Sequence, residues 1–369
     1  MKDLYVGLMS GTSIDGIDAG LLEVDNNQYR LIETHNHDIP AELKSQLEHL
    51  STAESFSVDD FGGCDRQLGQ LFAQAVNTLL HKANISKSRV TAVGSHGQTV
   101  RHRPTTEHNG PFTLQIGDPN IIAVETGIDT VADFRRKDMA TGGQAAPLAP
   151  VFHQAFFGDH RISRAVINIG GISNLSKLSP NEDLIGFDLG PGNRLMDAWS
   201  QRHLGEEFDR DGNWAASGSI NRKLLTKLLA HPYLSQKFPK STGREDFNLQ
   251  WLDGLLENEE KIATKDVQAT LLEFTAESIA TSTLEIFTPD EVYICGGGAL
   301  NTELMKRLQV LFGEKPVQST LLLGIDPQWV EAAGFAWLAK CRIENLPGNS
   351  TTVTGASKEL TLGGLYLAN

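Results

Sequence analysis

Leu4-Tyr5-Val6-Gly7-Leu8-Met9-Ser10-Gly11-Thr12-Ser13-Ile14-Asp15-Gly16-Ile17-Asp18 opens the chain with an apolar run, a turn dense in Gly, Ser and Thr, and a second apolar run. The two runs read as strands. Small residues in the turn let backbone N–H groups approach phosphate oxygens, and the hydroxyls add donors. A plain β-hairpin turn accounts for the same residues. No Gly-Lys-Ser/Thr follows, so the Walker A pattern is absent. No Gly-x-Gly-x-x-Gly opens a helix here, which disfavours a dinucleotide fold.

Working outward, strand-like runs at 4–9, 17–24 and 29–39 precede a helical stretch over 58–82. Its Phe61, Leu68, Leu71, Phe72, Ala75, Val76, Leu79 and Leu80 recur at three- and four-residue spacing. A strand at 90–94, a helix at 120–126 and a strand at 130–134 complete the first half. The second half repeats that order. Strands at 165–169, 173–178 and 184–187 lead to helices at 193–204 and 267–287, a strand at 292–295, a helix at 301–312, a strand near 317 and a helix at 329–341. The repeat predicts an α/β protein of two duplicated domains flanking a cleft. The first spans 1–135, with the C-terminal segment 342–369 joined to it. The second spans 136–341 and carries an insertion at about 205–265. Within the insertion, the polar, Pro-containing stretch 231–247 reads either as a surface loop or as a substrate-facing one. The tail, 347–369, is rich in Gly, Ser and Thr and reads as surface packing.

Two further glycine loops follow strand-like runs. In Gly186-Phe187-Asp188-Leu189-Gly190-Pro191-Gly192-Asn193, Asp188 stands where a strand ends. Gly190 and Gly192 keep the backbone open, and the helix N-terminus at Asn193 offers donors to an anion. A simple turn-forming role for Asp188 is the competing reading. In Val292-Tyr293-Ile294-Cys295-Gly296-Gly297-Gly298-Ala299-Leu300-Asn301, three consecutive glycines follow a buried-type strand. Each costs roughly 0.5–1 kcal/mol against Ala in a structured segment. An adenine or ribose lying on the backbone explains them, as does a tight strand-to-helix turn.

The formal net charge is −14, and no Lys/Arg-rich run appears, so a nucleic-acid partner is not expected. The acidic balance also argues against anionic membranes. Cys64, Cys295 and Cys341 form no Cys-x-x-Cys pair, so no disulfide framework or zinc knuckle is expected. His35 and His37 lack further ligands nearby and read as surface residues. No signal-peptide core or membrane span is apparent, and a cytoplasmic protein is expected.

Several strings together resemble anhydro-N-acetylmuramic acid kinases, within the sugar kinase, Hsp70 and actin superfamily. They are Met9-Ser10-Gly11-Thr12-Ser13-x-Asp15-Gly16-x-Asp18, Ser95-His96-Gly97-Gln98-Thr99, Leu114-Gln115-Ile116-Gly117-Asp118, Asp133-Phe134-Arg135-Arg136-x-Asp138, Asn168-Ile169-Gly170-Gly171-Ile172-x-Asn174 and Lys240-Ser241-Thr242-Gly243-Arg244-Glu245. The match spans nearly the whole chain. It implies two actin-like (ribonuclease H-like) domains, ATP with Mg²⁺, and a small sugar substrate, 1,6-anhydro-N-acetylmuramic acid. It leaves room for a homodimer. The implied reaction opens the anhydro ring with water and phosphorylates O6.

By that resemblance, Asp188 is the general base. Gly11, Thr12, Ser13, Ile14, Asp15, Gly16, Ile17 and Asp18 form a first phosphate loop. Gly170, Gly171, Gly190, Gly192 and Asn193 form a second, and Gly296, Gly297, Gly298 and Asn301 an adenosine loop. Ser10, His96, Gln98, Arg135 and Glu331 face the substrate. His96 reads equally as a structural hydrogen-bonding residue, Arg135 and Arg136 as a solvated pair, and Glu331 as a helix N-terminal charge. One departure stands out. Many sugar kinases carry an Asp at the end of the first strand, where this chain has Met9. Which carboxylate holds Mg²⁺ is therefore open. The rival readings are another sugar kinase of the same fold and an Hsp70-like ATPase switch.

Overall fold

A computed structural model describes every residue except 1, 12, 13, 27, 106–109, 239, 244, 245 and 258–260. Strands β1 (Asp3–Ser10), β2 (Ile17–Asp25), β3 (Gln28–His37), β4 (Val90–Arg103), β5 (Phe112–Ile116) and β6 (Thr130–Ala132) come first. Then follow β7 (Arg164–Ile169), β8 (Ile172–Leu178), β9 (Ile185–Pro191), β10 (Glu291–Cys295) and β11 (Val317–Ser319), and β12 (Gly364–Tyr366) ends the chain. They form two sheets, ordered β12-β6-β4-β1-β2-β3, with β5 paired to β4, and β11-β10-β7-β8-β9.

One plan underlies both. In the first sheet β1 pairs antiparallel with β2, β2 antiparallel with β3, and β4 parallel with both β1 and β6. In the second, β7 pairs antiparallel with β8, β8 antiparallel with β9, and β10 parallel with both β7 and β11. This is the duplicated α/β order expected from the sequence.

The chain packs into two compact units: Met1–Phe156 with Trp329–Asn369, and Phe157–Gln328. The expected boundaries, after 135 and after 341, fall elsewhere. The helix Val330–Ile343 belongs to the first unit for a steric reason. A Cβ on Gly7 would stand 1.8 Å from the Ala332 carbonyl oxygen, and one on Gly94 would stand 2.1 Å from that of Phe335. Only glycine at these two paired positions lets helix backbone lie directly on β1 and β4. The tail reaches further than surface packing: β12 pairs antiparallel with β6. The side chains of Asn349 and Thr354 donate to the fully buried Asp138 carboxylate at 2.6 and 2.8 Å.

The opposite face of the first sheet is covered by the helix Val58–Ala83. The Ser57 hydroxyl accepts from the Asp59 N–H at its start, and Asn84 ends it in the left-handed conformation. Leu68, Phe72, Ala75, Val76 and Leu79 form its buried stripe. In the second unit the long helix Thr264–Ile286 backs the second sheet and contributes Val267, Leu271, Phe274 and Ile279 to that unit's core. Among the described residues no helix is long and apolar enough to cross a membrane.

Candidate active site

The predicted site residues divide between the units. In the first unit, β1 ends at Ser10, which lies in register with Gln98 on β4. The Ser10 hydroxyl lies 2.7 Å from Gln98 Oε1 and 3.1 Å from the Gly16 carbonyl, and both side chains are buried. Ser10 and Gln98 thus clamp the first glycine loop across its base. Ile14 is fully buried at φ 58°. A β-branched residue rarely adopts that conformation, and here the side chain is packed in the first unit's core. Ile17 is likewise core. Of this loop, Gly11, Ile14, Gly16 and Ile17 can meet a phosphate only through backbone. Asp15 is exposed and pairs with Lys44 at 3.2 Å. Thr12 and Ser13 lie outside the described residues.

His96 is buried in β4 and neutral by construction. Nδ1 lies 2.9 Å from the Gly97 carbonyl, to which it donates, because Nε2 accepts from Arg135 Nε at 3.0 Å. Burial and the Arg135 charge hold its pKa well below the ordinary histidine value. Arg135 also donates to the Ala145 carbonyl, and burial lowers its pKa to about 10 despite the nearby Glu331 and Asp138 carboxylates. Arg136 instead pairs with Asp133 and is solvent-facing. The two arginines are therefore not one solvated pair. Glu331, in the first turn of the helix Val330–Ile343, is pushed upward in pKa by burial and by Asp18. Asp18 is pushed upward by burial, against a 2.8 Å hydrogen bond from Asn36.

In the second unit, β9 delivers Asp188 opposite Asn174 of β8. Asp188 is half-buried. Its Oδ2 accepts from the Thr242 N–H at 3.1 Å, its N–H donates to the Lys240 carbonyl at 3.3 Å, and its carbonyl accepts from the Tyr233 hydroxyl at 2.7 Å. Desolvation raises its carboxyl to about 6, against the opposing effects of the Thr242 N–H and the Lys240 ammonium. Tyr233, Lys240 and Thr242, from the stretch 231–247, therefore wall Asp188. Asn174 Oδ1, on the neighbouring strand, is buried with no hydrogen-bond partner among the described residues.

The glycines sort by cause. A Cβ on Gly192 would stand 2.2 Å from the Gly170 carbonyl oxygen, so packing alone requires that glycine. The N–H groups of Gly192 and Asn193 donate to the carbonyls of Gly171 and Gly170, and Asn193 Nδ2 donates to the Ile169 carbonyl. These amides lock the loop onto the β7–β8 turn, contrary to the expectation that they face an anion. Gly190 is held at φ 150° against Leu234. Cβ atoms on Gly170 and Gly171 would make only ordinary contacts, at 3.7 Å from the Ile172 carbonyl oxygen and 3.8 Å from Arg194 Cβ.

In the third loop, Cβ atoms on Gly296 and Gly298 would stand 2.3 Å from Asn168 Oδ1 and 2.4 Å from Ile169 Cγ2. Tight packing on β7 thus explains two of the three glycines; Gly297 is exposed, and a Cβ there would meet Asn193 Nδ2 at 3.5 Å, an ordinary contact. Asn301 caps the helix Thr302–Phe312, accepting from the Leu304 N–H at 3.0 Å. The residues the sequence left unassigned are Tyr233, which no local signal marks, and Lys240 and Thr242, which lie in one of the strings quoted above.

A model of the anhydro-N-acetylmuramic acid kinase family matches residues 3–368. Relatives bearing that name include proteins from Shewanella pealeana, 53% identical over 369 residues and 100% of both chains, and Shewanella halifaxensis, 52% identical over 99% of both. Among solved structures, a ROK hexokinase from Thermus thermophilus aligns over 94% of this chain and 100% of its own, at 14% identity and TM-score 0.42. The activator of 2-hydroxyisocaproyl-CoA dehydratase from Clostridium difficile aligns over 91% and 93%, at 13% identity and TM-score 0.45. By the family match and by relatives half identical from end to end, the chain belongs to the anhydro-N-acetylmuramic acid kinase family.

Proposed function

We propose that the protein is an ATP-dependent kinase that opens the 1,6-anhydro ring of 1,6-anhydro-N-acetylmuramic acid with water and phosphorylates O6. The products are N-acetylmuramic acid 6-phosphate and ADP, which places the enzyme in peptidoglycan recycling. Family membership supports the substrate, and the cradle around Asp188 carries the mechanism.

Asp188 activates the water. A general base works best when its pKa lies near the working pH, and desolvation brings this carboxyl to about 6. One oxygen is occupied by the Thr242 N–H, which leaves the other for a water proton. The departing O6 takes the γ-phosphoryl group where a glycosidase would supply a proton. Arg135, with its Nε held by His96, is suited to the sugar's carboxylate, because a guanidinium can bind a carboxylate bidentately. Ser10 and Gln98 hold the first loop in shape. The backbone of Gly11, Ile14 and Gly16, and of Gly170 and Gly171, receives phosphate oxygens. Gly297 is where the nucleoside lies on the chain.

Mg²⁺ would be held by Asp18 and Glu331. Burial pushes both carboxyls upward, opposed by Arg135 at Glu331 and by the Asn36 hydrogen bond at Asp18, and Mg²⁺ typically takes one or two carboxylates plus substrate phosphates. Bound there, it would neutralise phosphate charge. The need for ATP and the acidic surface support a cytoplasmic enzyme acting on a small sugar, with no nucleic-acid or membrane partner. The test is to assay phosphate transfer from ATP to the anhydro sugar and to the ring-opened sugar side by side. The anhydro sugar should be consumed with stoichiometric ADP. Preference for the ring-opened sugar would make the protein an ordinary hexosamine kinase.

A further inference from the structure

Three side chains form one row across the first sheet, beside the first glycine loop. Met9 of β1 is paired with Asp18 of β2, and Asp18 with Asn36 of β3. Directly opposite residues on antiparallel strands share a face, with Cβ atoms about 4.5–5.5 Å apart. Asn36 Nδ2 donates to Asp18 Oδ1 at 2.8 Å. An ionised carboxylate only accepts, so the amide nitrogen is the end that must face it. The same amide lies on the loop. A Cβ on Gly16 would stand 3.0 Å from both Nδ2 and Oδ1 of Asn36. Asn36 therefore packs against the last glycine of the loop and holds the carboxylate that follows it. Asp18 Oδ2 accepts no hydrogen bond from a described residue.

We propose that Asn36 is a positioning residue: by fixing one oxygen of Asp18 it presents the other to the Mg²⁺ that accompanies the nucleotide. The inference rests on the reading of Asp18 as a Mg²⁺ ligand. The chemistry favours such a partner. Mg²⁺ demands near-octahedral geometry, whereas an untethered carboxylate turns about its side-chain torsions. A hydrogen bond to one oxygen removes that freedom before the metal arrives. A neutral amide suits this task better than Lys or Arg would. It orients the carboxylate without cancelling the charge that attracts the cation. The row also explains why the carboxylate comes from β2. Met9, its partner on β1, offers no anionic oxygen, and only the β3 side supplies a donor.

The experiment measures binding of a non-hydrolysable ATP analogue by calorimetry, once with Mg²⁺ and once with EDTA in its place. Asn36→Leu keeps the branched shape of the side chain without the donor. Asn36→Ala is the second variant, should Leu disturb β3. Either should weaken binding with Mg²⁺ by about tenfold or more and leave metal-free binding within about twofold of wild type. An equal loss under both conditions would overturn the proposal and make Asn36 a support for the loop. Unchanged binding with Mg²⁺ would overturn it too, leaving Asn36 an ordinary surface amide.

Asp18→Asn, measured the same way, separates this inference from the reading beneath it. As a metal ligand, Asp18 should take the Mg²⁺-dependent part of the affinity with it when replaced. Where Asp18→Asn shows that loss and the Asn36 variants do not, the positioning role alone is overturned. Where Asp18→Asn binds the Mg²⁺ complex as wild type does, Asp18 is not the ligand, and the role of Asn36 falls with it.

Discussion

Gly7→Ala tests how the first unit is assembled. The added Cβ would stand 1.8 Å from the Ala332 carbonyl oxygen and 2.5 Å from the Ala336 N. Ordinary contact begins near 3.4 Å, so helix and strand must part by about 1.6 Å, and both obstacles are backbone. No rotamer change relieves this. Overpacking usually costs about 1–3 kcal/mol, and a backbone clash on a central strand should reach or exceed the upper end. The helix that moves carries Glu331, so turnover should fall with stability. Gly62→Ala is the control. It lies inside the helix Val58–Ala83 with nothing within 4 Å of its Cβ, and should stabilise by about 0.5–1 kcal/mol. Urea denaturation of the two variants measures the contrast. A Gly7→Ala cost below about 1 kcal/mol would refute the direct backbone packing of this helix on β1.

Other outcomes follow from particular groups. Asp188→Asn should lower kcat by about 10²–10⁴-fold while nucleotide binding, measured by calorimetry, is largely kept. The same substitution should change stability in a pH-dependent way. The folded-state pKa of Asp188 lies above its ordinary value, so its contribution is fully present below about pH 4 and lost as pH rises through about 6. Asp188→Asn should therefore raise the melting temperature relative to wild type at pH 8 and give little benefit at pH 4; a benefit only at low pH would show that burial is not what shifts this group. Asn301→Ala should cost about 1 kcal/mol as a lost helix cap and leave ATP affinity within about twofold, whereas a tenfold loss of ATP affinity with unchanged stability would make it a ligand contact.

The sequence made the two sheets legible because β1, β7 and β10 are largely apolar runs, each followed by glycine; β4 runs on past the expected 90–94 to Arg103. Short pieces escaped. β12 is three residues, Gly364–Tyr366, with no alternation to read, and β5 becomes a strand only by pairing with β4. The domain boundary was misplaced because Gly7 and Gly94 look like ordinary strand glycines until a helix more than 200 residues away lies on them. The glycine loops were found, but not the causes. Glycine imposed by a neighbouring carbonyl, as at Gly192, and glycine where a Cβ would find only ordinary contact, as at Gly297, are the same letter. The sequence placed Asp188 at a strand end, but β9 runs on through Gly190 and Pro191 and holds it mid-strand, because β8 pairs with those residues too. Tyr233, which holds its backbone from 45 residues away, was not legible.

The central claim is that Asp188 directs water to the anomeric carbon while O6 leaves with the phosphoryl group. The bridge holds O6 on the β face, so attack from the opposite face gives the α-anomer, and the oxygen at C1 comes from solvent. The direct measurement is turnover in oxygen-18-labelled water, with the anomer followed by NMR before mutarotation. The account predicts label at C1 and α product at the earliest times. Label in the phosphate ester oxygen, or β product at early times, would contradict it.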